Sequence, residues 1–227
     1  MNNNLIDSLS EYVQSLESEQ NEFHFLPSNG GLTYWGERVE LGFSCLAIKS
    51  LYMLNMWDKL EEKKKLSWVQ YINSFQKNKD GIPENSFVDE VFIKYNQKFE
   101  IKRDIKNIIK GSLTLLNIKK YESKKENLSK VLVAESKQAI STLFQIEHKN
   151  KLPYNSFPKD KNDINYYLNS FNWNKPWNAG AQYASLCVFS STQMKKNKNE
   201  QVLNLLRFIE KKVDKESGLY FGSRIPN

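Results

Sequence analysis

The sequence is poor in the residues that most often carry polar chemistry. Its 227 residues include two histidines, His24 and His148, and two cysteines, Cys45 and Cys187. A Ser-His-Asp or Cys-His centre would have to use one of those histidines, and neither has a Gly-x-Ser-x-Gly turn near it. Both cysteines lie inside apolar helical patterns, "GFSCLAIKS" and "AQYASLCVFSS", where a thiol behaves as a small buried hydrophobe, so no disulfide framework is expected. There is no glycine-rich phosphate loop and no dinucleotide fingerprint. No apolar run approaches the roughly 18 to 20 residues that a membrane-spanning helix needs. The start, "MNNNLIDSLSEY", has neither the basic flank nor the apolar stretch of a signal peptide. The expectation is a soluble, cytoplasmic chain that does not span a membrane.

Arginine is scarce too: Arg38, Arg103, Arg207 and Arg224 are the whole set, against a net charge of +7. Base-edge and bidentate phosphate recognition lean on arginine. The lysines are spread along the chain and interleaved with acids, as in "KLEEKKK" and "KKYESKKEN". That pattern reads as a solvated surface, and no nucleic-acid partner is expected.

What the chain does contain is helical periodicity. Val39–Trp57 is apolar nearly all round, as a helix buried on most sides would be. Leu66–Gln76 carries Trp68, Tyr71, Ile72 and Phe75 on one face. Three-and-four spacing also marks Ile101–Ile118, Leu128–Ile146 and Gln201–Val213, the last with Val202, Leu205, Leu206, Ile209 and Val213 inward. Trp177–Met194 reads as another buried helix, and Leu5–Glu19 as a shorter one. No stretch alternates as a strand, so the class is all-α.

Two of these helices end in similar punctuation. Ungapped, Ser10–Phe23 lies over Val69–Ile82, pairing Tyr12 with Tyr71, Val13 with Ile72, Leu16 with Phe75 and Phe23 with Ile82. Leu206–Leu219 lies over the same segment, pairing Gly218 with Gly81. Copies spaced by about 60 to 70 residues leave room for a helix, a loop and a second helix, which is a repeating helical hairpin. Gly81 and Gly218 are expected in the left-handed conformation that ends a helix and opens a loop.

"YINSFQKNKDGI", Tyr71–Ile82, resembles a degenerate form of the repeat in protein prenyltransferase β subunits and terpenoid (squalene or hopene) cyclases. Gln76, Asp80 and Gly81 stand where that pattern wants them, while its second glycine and terminal aromatic are missing. The resemblance implies an α/α toroid, with helical hairpins in concentric rings. "YNSFPKD" and "NKPWNAGAQYASLCVF" are similar to uncharacterised toroid-like proteins of bacterial surface-polysaccharide gene clusters. The acid motif of the cyclases is absent. The zinc ligands of the prenyltransferases are absent as well, since Cys45 and Cys187 fall in helix cores and neither His24 nor His148 has a partner at zinc-site spacing. No metal and no cofactor are expected.

In a toroid the loops at one end converge on the central cavity. The first loop, "NEFHFLPSNGGLTYWGER", carries His24, Tyr34, Trp35, Glu37 and Arg38. The second, "DGIPENSFVDE", carries Asp80, Glu84, Asp89 and Glu90. The third, "LPYNSFPKDKNDINYYLNSFNWNKPWN", carries Tyr154, Trp173 and Trp177 among other aromatics and acids. Aromatic faces cover the apolar C–H surfaces of a sugar while polar groups orient its hydroxyls, so His24, Tyr34, Trp35, Arg38, Tyr154, Trp173 and Trp177 are candidate substrate-binding residues. Packing of loops onto helix ends accounts for the same aromatics. Paired carboxylates could run hydrolysis or elimination at a sugar, which makes Asp80 with Glu84, or Glu37 with Asp89, candidate catalytic pairs by residue type.

The sequence therefore points first to a toroid-fold protein of surface-polysaccharide (lipopolysaccharide or capsule) biosynthesis, binding or processing a saccharide or lipid-linked saccharide. A non-catalytic helical-repeat scaffold for a protein partner is the alternative, and a terpenoid-cyclase-like enzyme the distant third. About three and a half hairpins can be drawn across residues 1–227, read as one domain. Rings of the resembled families use about five or six, so the ring is expected to be incomplete: either the chain is cut short or a second chain covers the Val202, Leu205, Leu206 and Ile209 face.

Overall fold

The computed structural model describes residues 3–97 and 124–219. Among them are eight α-helices and one short antiparallel pair, so the chain is mostly helical, as its patterning required. The helices are α1 (Asn3–Ser15), α2 (Leu41–Met53), α3 (Glu62–Ser74), α4 (Glu90–Gln97), α5 (Lys124–Gln145), α6 (Lys161–Asn169), α7 (Pro176–Gln193) and α8 (Lys198–Glu210). The pair is β1 (Gln76–Lys77) with β2 (Ser86–Phe87), Gln76 opposite Phe87. The helix expected over Ile101–Ile118 lies outside the described residues. The chain divides into two compact units, 1–139 and 140–227, with α5 contributing to each.

In the first unit α2 packs against α1 and α3. Its core is aromatic. Trp68 of α3 is buried between the rings of Phe23 and Phe25, each stacked at 5.2 Å, with Trp57 at 5.7 Å. The indole N–H donates to Ser44 Oγ of α2 at 2.7 Å, so the polar end of a fully buried ring is satisfied. Helix α2 stops short of the expected Trp57. Asn55 adopts a left-handed φ of 56°, Met56 N–H bonds back to Leu51 O at 2.8 Å, and Trp57–Lys59 forms a separate 3₁₀ turn. The last turn of α5 closes in the same manner, with Glu147 at φ 61° and His148 N–H on Leu143 O.

The repeat is visible in how the other helices end. In the ungapped alignment Ser15, the last residue of α1, falls on Ser74, the last of α3, and α8 ends within one column of them. After α1 and after α3 the chain runs back antiparallel. Glu17 bridges to Phe25 as Gln76 does to Phe87, and Val213, in the column of Glu17 and Gln76, is again in a bridge. Leu26 N–H bonds to Leu16 O at 2.7 Å, and Val88 N–H to Phe75 O at 2.8 Å. Glu17 Oε1 accepts from Phe23 N–H, and Gln76 Nε2 donates to Asn85 O, both at 2.9 Å. Phe23 and Asn85 both have positive φ, 65° and 55°.

Phe23 is thus equivalent to Asn85, not to Ile82 as the ungapped alignment had it. The second return loop is three residues longer, and an alignment without gaps cannot carry that. Gly81 and Gly218 do sit at positive φ, 82° and 70°. They belong to the turns beyond, not to the helix caps, because α3 ends at Ser74 and α8 at Glu210.

In the second unit α7 packs against α8 around Ile164, Leu168, Phe171, Trp173, Ala179, Leu186 and Leu205. Tyr183 donates its hydroxyl to Leu205 O at 2.8 Å, tying the two helices. The inward stripe of the last helix is therefore covered in part by the helix before it. Leu205 is buried, Val202 and Ile209 are half-buried, and Leu206 is exposed. A second chain is not needed to cover Leu205. Helix α6 lies inside what reads from sequence as a loop; Asp160 caps it, its Oδ1 accepting from Asn162 and Asp163 N–H at 3.0 and 2.9 Å.

Candidate functional site

The candidate site lies in the first unit, around the segment from Thr33 to Leu41. Thr33 Oγ1 accepts from Gly36 N–H at 3.0 Å, which opens the 3₁₀ turn Gly36–Arg38 and turns the chain towards α2. Arg38 folds back over Tyr34, its guanidinium carbon 3.7 Å from the ring centroid and Nη1 donating to Tyr34 O at 2.6 Å. The same nitrogen pairs with Glu37 at 3.4 Å. Tyr34 meets Trp35 edge-on at 5.1 Å, and Trp35 meets Tyr95 of α4 edge-on at 5.5 Å. The indole of Trp35 is thereby held between the loop and α4.

Behind this loop lies a group of acids and a phenol. Tyr71 of α3 donates to Glu40 Oε2 at 2.9 Å. Asp89 Oδ2 accepts from Glu40 N–H at 2.7 Å and Leu41 N–H at 3.1 Å, while Oδ1 accepts from Val91 N–H at 3.2 Å. One buried carboxylate thus caps both α2 and α4. Burial pushes the Asp89 carboxyl above the ordinary range, and its three N–H bonds oppose that. Burial, then the charge of Glu40, raises the Tyr71 phenol far above its usual value. The Glu135 carboxyl of α5 is pushed up to about 7, first by burial and then by the charge of Asp89. It lies against the first turn of α2: a Cβ added at Gly42 would be 3.8 Å from Glu135 Oε2. That oxygen is buried and has no hydrogen-bond partner among the described residues.

Three depressions open here. A polar cleft of about 630 Å³ is lined by His24, Glu37, Arg38 and Glu40 together with Glu17 and Asn21. A groove of about 440 Å³ shares Arg38 and Glu40 with it and adds Trp35, Tyr71, Lys77 and Lys94. An apolar pocket of about 670 Å³ shares Trp35 and Val91 with the groove and adds Val39, Phe92, Tyr95 and Val131. Polar surface therefore gives way to apolar surface along shared walls, in the size range of small-molecule sites.

Of the residues expected from sequence, His24, Tyr34, Trp35, Glu37, Arg38 and Asp89 come together here. Glu37 and Asp89 line different depressions, and Asp89 already serves three backbone donors. Asp80 and Glu84 are exposed on the turn between β1 and β2 and line none of the three. Tyr154 and Trp173 are core side chains of the second unit, Tyr154 packed 4.5 Å from Phe189 and Trp173 within the α6–α7–α8 cluster. Trp177 is 88% exposed in the first turn of α7.

Glu40, Tyr71, Tyr95 and Glu135 were not proposed for a site from sequence. For Glu135 a signal exists, an acid four residues from Val131 and from Ala139 on the inward stripe of a helix. Among the described residues no group of three or more His, Cys, Asp or Glu side chains is placed to hold a metal ion, and no helix is long and apolar enough to cross a membrane. Compared with protein families, curated proteins and solved structures, the chain gives no significant match.

Proposed function

We propose that the first unit binds a saccharide joined to an apolar group, of the lipid-linked kind used in building surface polysaccharides. One observation carries this reading: Trp35 lines both the groove, where Arg38, Glu40 and Tyr71 offer polar contacts, and the aromatic pocket with Phe92 and Tyr95. A ligand polar at one end and apolar at the other would straddle that indole, its apolar part against the ring. The α/α toroid is part of the proposal. It is supported by two helices ending in left-handed turns, α2 and α5, while α1 and α3 end in short antiparallel returns.

Calorimetry tests the reading. Decyl glucoside should bind and free glucose should bind far more weakly. Trp35→Ala, at a half-buried loop position, should weaken decyl glucoside by about tenfold or more while the helical circular dichroism is unchanged. Equal, undiminished binding by the variant refutes it.

A scaffold for a protein partner is the second reading, favoured by α1. Leu5, Leu9 and Tyr12 form an exposed apolar stripe at helical spacing. Sedimentation of Leu9→Glu against the parent tests it: a change in association state supports the scaffold, and identical behaviour sets it aside.

A further inference from the structure

The geometry points to a phosphoester anion as the link between the two halves of the ligand, seated in the middle groove by Arg38, Lys77 and Lys94. This inference rests on the reading above and specifies its chemistry. The groove lies between the polar cleft and the apolar pocket through its shared walls, Arg38 and Glu40 on one side and Trp35 and Val91 on the other. Whatever joins sugar to apolar group must cross it.

Two of its three cations are unspent. Lys77 of β1 and Lys94 of α4 are exposed, and neither ammonium has a salt-bridge or hydrogen-bond partner among the described residues. Arg38 uses Nη1 on Tyr34 O and Glu37, which leaves the remaining N–H donors of its fork available. The groove's acids are largely engaged: Asp89 by three backbone N–H groups and Glu40 by the Tyr71 hydroxyl, with Glu90 the exposed one. A guanidinium and two exposed ammonium groups around one groove suit an anion with several acceptor oxygens, and charge-assisted bonds to it are stronger than those to a neutral ether link.

Two ligand sources share this chemistry. A glycan phosphate on a lipid chain would put the chain in the pocket of Trp35, Phe92 and Tyr95. A nucleotide sugar would put its base there.

The experiment compares three probes by calorimetry at low salt: decyl glucoside, glucosyl decyl phosphate and UDP-glucose. Glucosyl decyl phosphate is expected to bind about tenfold tighter than decyl glucoside, and the preference should shrink as salt is raised. The double variant Lys77→Gln/Lys94→Gln, both at exposed positions, should abolish that preference and leave decyl glucoside affinity within about twofold. Equal binding of the two decyl probes, or a preference that survives in the double variant, overturns the phosphoester link and leaves the amphiphilic-saccharide reading standing. UDP-glucose binding as tightly, with the same loss in the variant, upholds the link and overturns the lipid as its carrier. If none of the three binds, both the reading and the inference fall.

Discussion

Asp89 Oδ2 accepts a hydrogen bond from Leu41 N–H at 3.1 Å, so the start of α2 is held by a side chain 48 residues further along. The same carboxylate takes Glu40 N–H and, through Oδ1, Val91 N–H at the start of α4. Its burial follows from serving two helix ends. Asp89→Ala should lower unfolding free energy by about 2 to 4 kcal/mol, the sum of two lost caps in a buried setting. Urea unfolding measures it. A loss under about 0.5 kcal/mol would show that the caps are dispensable and reopen a catalytic role for Asp89.

The nearby Glu135 gives a pH dependence of definite sign. Its carboxyl is pushed up to about 7 when folded, above the ordinary value of about 4.5 that applies when unfolded. Between those values the folded state holds more protons than the unfolded one, so stability falls as pH rises through the window. At about 1.4 kcal/mol per tenfold change in proton concentration, the loss approaches about 3 kcal/mol by neutral pH. Glu135→Gln keeps the shape without the charge. Relative to the parent, it should gain about 3 kcal/mol on going from acid to neutral pH, read by urea midpoints across that range. A parent and variant with parallel pH profiles would show that Glu135 is solvated when folded.

Glu17 and Gln76 hold the same place in two return loops but face opposite partners. Glu17 accepts from a backbone N–H, and Gln76 donates to a backbone C=O. Glu17→Gln keeps an acceptor and should cost less than about 1 kcal/mol, including its exposed pairing with Lys64 at 3.8 Å. Gln76→Glu sets a carboxylate against Asn85 O and should cost about 1 to 3 kcal/mol. Thermal unfolding of the two variants checks the asymmetry, which an alignment of the two loops alone would not suggest.

That pair also marks what the sequence could and could not tell. Helices with long apolar stripes, such as α3 around Trp68 and Ile72 and α8 around Leu205, are legible because burial imposes the period. Helix α6 is hidden between two aromatic loop segments, although Ile164, Tyr167, Leu168 and Phe171 keep three-and-four spacing behind the Asp160 cap. Tyr34, Trp35 and Arg38 could be proposed for a site from loop composition. Tyr71 could not, because on its own helix it reads as core, and only the fold brings its hydroxyl to Glu40.

Phe87 N–H donates to Ser136 Oγ at 3.0 Å, and that hydroxyl donates in turn to Leu132 O at 2.7 Å, all of it buried. Ser136→Ala should leave the strand's N–H without a partner in the core and cost about 1 to 3 kcal/mol, measured by urea unfolding. Ser136→Cys, with a weaker acceptor of similar shape, should fall between parent and alanine variant.

The two tryptophans of "NWNKPW" separate packing from display. Trp173 is 7% exposed within the cluster of Phe171, Tyr183 and Phe208, and Lys212 lies 5.7 Å over its ring. Trp173→Ala should cost about 3 to 5 kcal/mol, the range for emptying a large aromatic site in a core. Trp177 is 88% exposed, so Trp177→Ala should change stability by no more than about 0.5 kcal/mol. Because the candidate site lies wholly in the first unit, Trp177→Ala should also leave decyl glucoside affinity unchanged while Trp35→Ala weakens it. A loss of binding in Trp177→Ala with stability intact would move the saccharide site to the exposed first turn of α7 and away from the groove beside Trp35.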